Sequence, residues 1–299
     1  MASSGDLVLT VPFYAGAGYL ERTLASVLAQ RDPAWRCIVV DDSVVDQGIA
    51  DLVERLGDDR VSYRLNEANL GVSGSFERCF HIARELGAEL VAIVHADDEL
   101  EPDYVQVAKA AHARHPGSVA VAPRATVIGP TGVPCRTVAD TVKAWMWPRR
   151  VDVLQGDDGL RRLLRGLFFY CPAVSYRVAL LPVPAWDARW KQVMDLDLYG
   201  RMLLAGGSIA LDSRRTYRYR RHGGTMTELN SSSLLRTEEE TAVVVEMTGA
   251  ARGLGWHRAA RSGRWRIAVR CQALLRVPGL LLRRHFGVAG RAVLLALRP

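Results

Sequence analysis

The first 125 residues alternate short, β-branched apolar runs with segments of helical spacing, and few folds accommodate that rhythm. The runs "LVLTVPF" (7–13), "RCIVVDD" (36–42), "VSYRLN" (61–66), "ELVAIVHADD" (89–98) and "SVAVAPRATVIG" (118–129) read as strands. Between them lie "GYLERTLASVLAQ" (18–30), "DQGIADLVERLG" (46–57), "SGSFERCFHIARELG" (73–87) and "PDYVQVAKAAHARH" (102–115). Their apolar residues recur at three and four, as in Leu20, Leu24, Val27 and Leu28, or Phe76, Cys79, Phe80 and Ile82, so these segments predict amphipathic helices. Strand and helix in alternation, with strands apolar throughout, imply an α/β domain whose mostly parallel sheet is covered on both faces.

After about residue 130 the rhythm loosens. "GPTGVPCRTVADTVKAWMWPRR" (129–150) reads as a long excursion, followed by a helix at 157–167 and a strand-like stretch at 170–181. "MDLDLYGRMLLAGG" (194–207) predicts a helix ended by Gly206-Gly207, and 208–224 predicts strand segments with a turn. From about 231 the chain reads as helical, with Pro278 expected to split one long helix into two.

Five scattered cysteines without CxxC spacing argue against a disulfide framework and a structural zinc site, and fit a reducing, cytosolic setting. The start lacks the basic region of a signal peptide, and no uncharged apolar run reaches the roughly 18 residues of a membrane span. The net charge is +7, yet residues 251–299 hold eleven arginines and no lysine, Asp or Glu. Removing those eleven charges leaves residues 1–250 at −4, so the basic character belongs to the tail.

Two acidic pairs, Asp41-Asp42 and Asp97-Asp98, end buried strands. In parallel sheets ligands bind beyond the carboxyl ends of strands. Either pair also suits a turn or helix start, and Asp97 and Asp98 suit a cation between them. The glycines of "AGAGYLE" (15–21) mimic a dinucleotide fingerprint, but Glu21 stands where a third glycine belongs, and Pro12 precedes the turn. No Walker A sequence occurs.

Six segments resemble, in order and spacing, a family 2 glycosyltransferase: "VPFYAGAGYLERTLASVLAQ" (11–30), "IVVDDS" (38–43), "NLGVSGSFERCF" (69–80), "VHADDEL" (94–100), "VMDLDLYGRML" (193–203) and "YRYRRHGGTMT" (217–227). The resemblance spans roughly 6–230 and implies a GT-A fold and a nucleotide-diphosphate sugar donor, with UDP or dTDP favoured. It also implies inversion at the anomeric carbon by direct displacement. It assigns the nucleobase to Asp42, whose carboxylate accepts from an N–H edge, with Val11 and Phe13 as walls of the base site. Asn69 and Gly71 belong to the donor pocket, Asp97 to the ribose, and Asp98 to a divalent cation, Mg²⁺ or Mn²⁺. Asp195 becomes the general base that takes the acceptor's proton, and His222 closes the donor site. Arg218, Arg220 and Arg221 are candidates to neutralise diphosphate, and "YCPAVSYR" (170–177), Trp186 and Trp190 to stack on acceptor sugar. Two positions depart from the pattern: His95 replaces an Asp and Met194 a Glu. They leave open a decayed scaffold that binds nucleotide sugar or glycan.

The implied organisation is a GT-A domain at 1–230, with a nucleotide-sugar half (1–128) and an acceptor and base half (129–230), then an Arg-rich helical extension at 231–299. Residues 256–299 alternate arginine with apolar stretches, which suits an anionic membrane surface at the inner face or a structural cap. An adaptor acting through this tail is a third possibility. No nucleic-acid-binding module is recognisable.

Overall fold

The computed structural model describes residues 6–45, 47–223, 234–282 and 284–297. In chain order the elements are β1 (Leu7–Phe13), α1 (Ala17–Leu28), β2 (Trp35–Asp41), α2 (Ile49–Leu56), β3 (Val61–Leu65), α3 (Gly71–Glu85), β4 (Leu90–Ile93), β5 (Glu99–Leu100), α4 (Tyr104–Arg114) and β6 (Ala120–Ile128). Then come α5 (Val138–Met146), β7 (Val153–Gln155), α6 (Gly156–Leu163), β8 (Ser175–Arg177), α7 (Met194–Leu204) and β9 (Ser208–Arg220). Four helices follow: α8 (Leu235–Gly253), α9 (His257–Trp265), α10 (Ile267–Leu282) and α11 (Phe286–Leu297). They form two compact units. One comprises Met1–Asp152, Phe169–Trp186 and Ile209–Arg221, the other Val153–Phe168, Asp187–Ser208 and His222–Pro299.

The first unit is the α/β domain that the strand rhythm implies. Eight strands line up in the order β3-β2-β1-β4-β8-β6-β9-β5. The pairs β1–β2, β1–β4, β2–β3 and β6–β9 are parallel, and β8 and β5 add antiparallel contacts. β1 is buried along nearly its whole length because helices cover both sheet faces, which is why it carries no polar alternation. Leu20, Leu24 and Val27 of α1 and Phe76, Cys79, Phe80 and Ile82 of α3 face inward, as their spacing implies.

The chain runs β1 to β2 to β3 on one side of β1 and returns with β4 on the other. That reversal opens a crevice at the carboxyl ends of β1 and β4. β9 is one continuous 13-residue strand, not the expected pair of segments with a turn. A register shift opposite Pro123, Arg124 and Ala125 bends it in place of a turn. Its far half then pairs with β5, Glu99 facing Arg218 and Leu100 facing Tyr217, which carries Tyr217 and Arg220 to the acidic turn after β4. The stretch 170–181 forms only the three-residue β8 flanked by two 3₁₀ turns.

The second unit is helical. α7 approaches α8 at Gly200, where a Cβ would stand 2.0 Å from Met247 Cε. α9 approaches α8 at Gly263, where a Cβ would stand 1.9 Å from Thr248 Oγ1. α10 and α11 form a hairpin with a small core of Leu280, Ala289 and Ala292 against Leu234. α10 continues through Pro278, contrary to expectation. The missing N–H costs only the bond to the Leu274 carbonyl, and the breaks fall instead at Arg266 and Arg284, both of positive φ. Among the described residues no helix is long and apolar enough to cross a membrane.

Candidate functional site

Both acidic pairs lie at strand ends of the first unit, and in each pair the two carboxylates have different surroundings. Asp41 and Asp42 are both buried and differ in their partners. Asp41 Oδ1 accepts from the Ser43 N–H (2.8 Å) and its Oδ2 from the Tyr63 hydroxyl (2.9 Å), so it fixes the turn. Asp42 Oδ1 accepts from Asn66 Nδ2 and from the Leu70 N–H, both at 2.9 Å. Its Oδ2 takes no part in that network among the described residues. Asn69 donates to the Asp42 carbonyl (2.8 Å) and accepts from the Gly71 N–H (3.2 Å). Gly71, at φ +66°, lets the chain turn from this clasp straight into α3. Asn69 and Gly71 thus orient Asp42 through the backbone.

Val11 and Phe13, expected as walls of the base site, are both enclosed in the core. A parallel strand buried on both faces has no open side; the chain opens only after its last residue. Tyr14, the next residue, is 63% exposed and is the aromatic that the sequence reading missed. Its signal was position, one step past the apolar run.

The turn after β4 is tied from three sides. Thr23 Oγ1 of α1 lies 2.7 Å from the Asp98 carbonyl and 2.9 Å from that of Ala96. Asp98 is 1% exposed. Its Oδ1 accepts from the Arg220 N–H (2.6 Å) and its Oδ2 from the Tyr217 hydroxyl (2.9 Å). Burial, and then the charge of Asp97, push the Asp98 carboxyl well above the usual carboxylate range. Asp97 is half-buried. His95, Asp97 and Asp98 each offer one ligand atom within 4.8 Å of the others. The two carboxylates suit Mg²⁺ or Mn²⁺, whereas the imidazole is a softer ligand than such cations favour. The residues therefore fit a divalent cation, with Asp97 the more accessible carboxylate.

The arginines of β9 are committed within the protein. The Arg220 side chain is fully buried, pairs with Glu99, and donates to the Asp97, Gly129 and Pro130 carbonyls. Arg218 pairs with Glu99 and donates to the Gly132 carbonyl. Arg221 holds Asp140 through two bonds (2.6 and 3.1 Å). These three candidates for neutralising diphosphate are used here within the protein: they hold the loop 129–140 and, through Arg220, the acidic turn. Trp186 packs in the core against Phe76 and Phe80, and Trp190 is buried under Arg189, so neither presents a face to sugar. His222 follows β9 by two residues and is half-buried; the motif beyond Gly223 lies outside the described residues.

Asp195 belongs to the second unit, in the first turn of α7, half-buried, with an oxygen 2.8 Å from the Leu196 N–H. Asp197 is buried and pairs with Arg201 (2.7 Å), the structural pairing expected from their spacing. Glu239 of α8 accepts from the Lys191 and Gln192 N–H groups and so holds the loop that delivers Asp195.

A match to one solved fold recurs. The crystal structure of S. aureus TarS 1-349 superposes with a TM-score of 0.62 at 17% identity, covering 87% of this chain and 71% of that one. The same protein in complex with UDP-GlcNAc gives 0.61 at 20% identity over 82% and 66%. Its complex with UDP gives 0.57 at 16% over 97% and 90%. An uncharacterised protein of Mycobacterium tuberculosis, MT1568, is 34% identical over 98 residues, which is 32% of this chain and only 29% of that relative's length. The model of glycosyl transferase family 2 matches residues 9–159, half of the chain and the whole run of strands from β1 to β7. The chain belongs to glycosyl transferase family 2.

Proposed function

We propose that this glycosyltransferase moves a sugar from a uridine- or thymidine-diphosphate donor to an acceptor hydroxyl, with inversion. The observation that carries this reading is the placement of Asp42 and Asp97 at the carboxyl ends of β2 and β4, with β1 between them. Two strand spacings separate those ends by about 10 Å, a span that suits a base at one and a ribose and diphosphate at the other. The Oδ2 of Asp42 is the acceptor for the base N–H, and the exposed ring of Tyr14 is the neighbour on which a base can stack. Asp97 takes the ribose, and Asp98, whose ligand atom lies close to those of His95 and Asp97, would hold a divalent cation. A divalent cation held there would offset charge on the departing diphosphate. Asp195 serves as the general base, and His222 keeps its expected role in closing the donor site. Two solved neighbours are complexes with UDP-GlcNAc and UDP, which favours uracil as the base.

We further propose that the hairpin of α10 and α11 rests on an anionic membrane surface. Leu274, Leu275, Leu281, Leu282, Phe286 and Leu294 are exposed on it, in a stretch that carries arginines and no acid. The acceptor hydroxyl would then belong to a glycan or lipid-linked glycan.

Calorimetric titration of UDP with and without Mn²⁺ tests the donor site. Wild type binds, and Asp42→Ala weakens binding by about tenfold or more, since a charged hydrogen bond is lost. A folded wild type that binds neither UDP nor dTDP sinks the reading. Asp195→Asn keeps UDP affinity while UDP release from a productive donor–acceptor pair falls by about 10²-fold or more. Nucleotide binding without turnover of any donor would favour the decayed scaffold, to which His95 and Met194 point.

A further inference from the structure

A second recess lies in the helical unit, built by α6 and α9. It has a volume of ≈ 420 Å³ and is lined by Arg161, Leu164, Arg165, Arg258, Arg261 and Trp265, with Ile267 at its end. Its composition is two-faced. Leu164, Trp265 and Ile267 supply apolar surface, and Trp265 remains 58% exposed. The four arginines supply the polar wall.

Their charge is only partly met. Asp158 pairs with Arg161 (2.6 Å) and stands 3.5 Å from Arg258. It also pairs with Arg162 (2.7 Å), so one carboxylate is divided among three guanidinium groups. Asp157 is spent on the start of α9, accepting from the N–H groups of Arg258 (3.1 Å) and Ala259 (2.6 Å). Burial first, and then the charges of Arg161 and Arg162, hold the Arg165 guanidinium below its usual range. The recess therefore joins positive charge to apolar surface from Leu164, Trp265 and Ile267. A free phosphate would use the arginines and leave that apolar surface wet. A nucleic acid would need a row of stacking faces, and the recess has one indole.

We propose that this recess binds the phosphate headgroup of an anionic phospholipid, with the start of the acyl chain lying on Leu164, Trp265 and Ile267. Guanidinium groups match phosphate by paired hydrogen bonds, and an exposed tryptophan suits the boundary between headgroup and chain. The proposal rests on the membrane-surface reading of the hairpin and narrows it to one lipid-sized site. Ile267 is the first residue of α10, so the recess adjoins the exposed leucines in sequence.

The test uses the full chain with vesicles of phosphatidylglycerol mixed into phosphatidylcholine, against pure phosphatidylcholine. Wild type is expected on the mixed vesicles only. The double variant Arg165→Gln/Arg261→Gln should bind them about tenfold to thirtyfold more weakly, at least what two interfacial arginines contribute. Arg252→Gln/Arg264→Gln removes the same charge outside the recess and should lose far less. Lipids brominated near the headgroup should quench wild-type fluorescence, and Trp265→Phe should lose that component. Thermal melts check that each variant folds. Equal losses from the two double variants, with quenching unchanged in Trp265→Phe, would overturn the recess and leave the hairpin reading standing. A wild type that ignores both kinds of vesicle overturns both. Binding of glycerol 3-phosphate by a wild type that ignores both kinds of vesicle would assign the recess to a soluble phosphate.

Discussion

The carboxylates of the first unit and the arginines of the second differ in how they are held. At the strand ends three of the four carboxylates take fixed donors: Asp41 from Ser43 and Tyr63, Asp42 from Asn66 and Leu70, Asp98 from Tyr217 and Arg220. Arg220 itself is wholly buried. On α9 and α11 Arg258, Arg261, Arg264 and Arg291 stand on exposed side chains, and on α10 exposed leucines lie beside the half-buried Arg270 and Arg276. On the proposed function, the difference follows from what each region would meet. A reacting centre needs donors and acceptors fixed before the substrate arrives. A fluid surface has no fixed partner, and flexible arginine stems over apolar side chains adapt to it.

Arg220 gives the largest expected effect. Arg220→Met keeps the apolar stem but removes one partner of Glu99 and the donor to the Asp97, Gly129 and Pro130 carbonyls. The loss should reach about 3 kcal/mol, measured by urea unfolding, because three carbonyls lose their donor at once, although Arg218 still pairs with Glu99. A loss below about 1 kcal/mol would mean that the network is not rigid, and the contrast between the regions would fail.

Asp140 comes next. Burial pushes its carboxyl upward, but Arg221, Thr137 and Tyr170 pull harder and hold it well below the usual range. A depressed folded-state value means that its contribution is present above the unfolded value of about 4 and is lost as pH falls through the folded one. Asp140→Asn should therefore cost about 2 kcal/mol at neutral pH, and its melting curve should converge on wild type in acid. A gap independent of pH would assign the cost to packing alone.

Much of the donor half was legible because its signals are local. Buried parallel strands are apolar runs, and their ends are marked by the acids of 41–42 and 97–98. What escaped was set by partners distant in sequence. Nothing near Arg220 announces that it will be buried, since Glu99 and Asp98 reach it only after β9 bends. Phe13 and Tyr14 are adjacent aromatics, and only the end of the strand separates core from surface. Trp186 reads equally as a sugar platform or as packing until Phe76 and Phe80 are seen against it. Pro278 forecast a break that α10 avoids, because one missing donor near the end of a helix is a small loss beside the packing of Leu280 on Ala289 and Ala292.

The tail supplies the smallest effect on stability. Leu275 and Leu282 are 79% and 86% exposed on α10, outside the small core that Leu280 helps to form. Exposed apolar residues remote from the core contribute little to folding, so Leu275→Ser/Leu282→Ser should shift stability by no more than about 0.5 kcal/mol. The same change should lower affinity for phosphatidylglycerol vesicles by tenfold or more, since each leucine removed from a lipid interface forfeits about 1.5 kcal/mol of burial. Stability lost with vesicle affinity unchanged would make α10 and α11 a structural cap. Vesicle affinity lost with stability intact would place their function at a surface, where the buried carboxylates of the first unit would have no use.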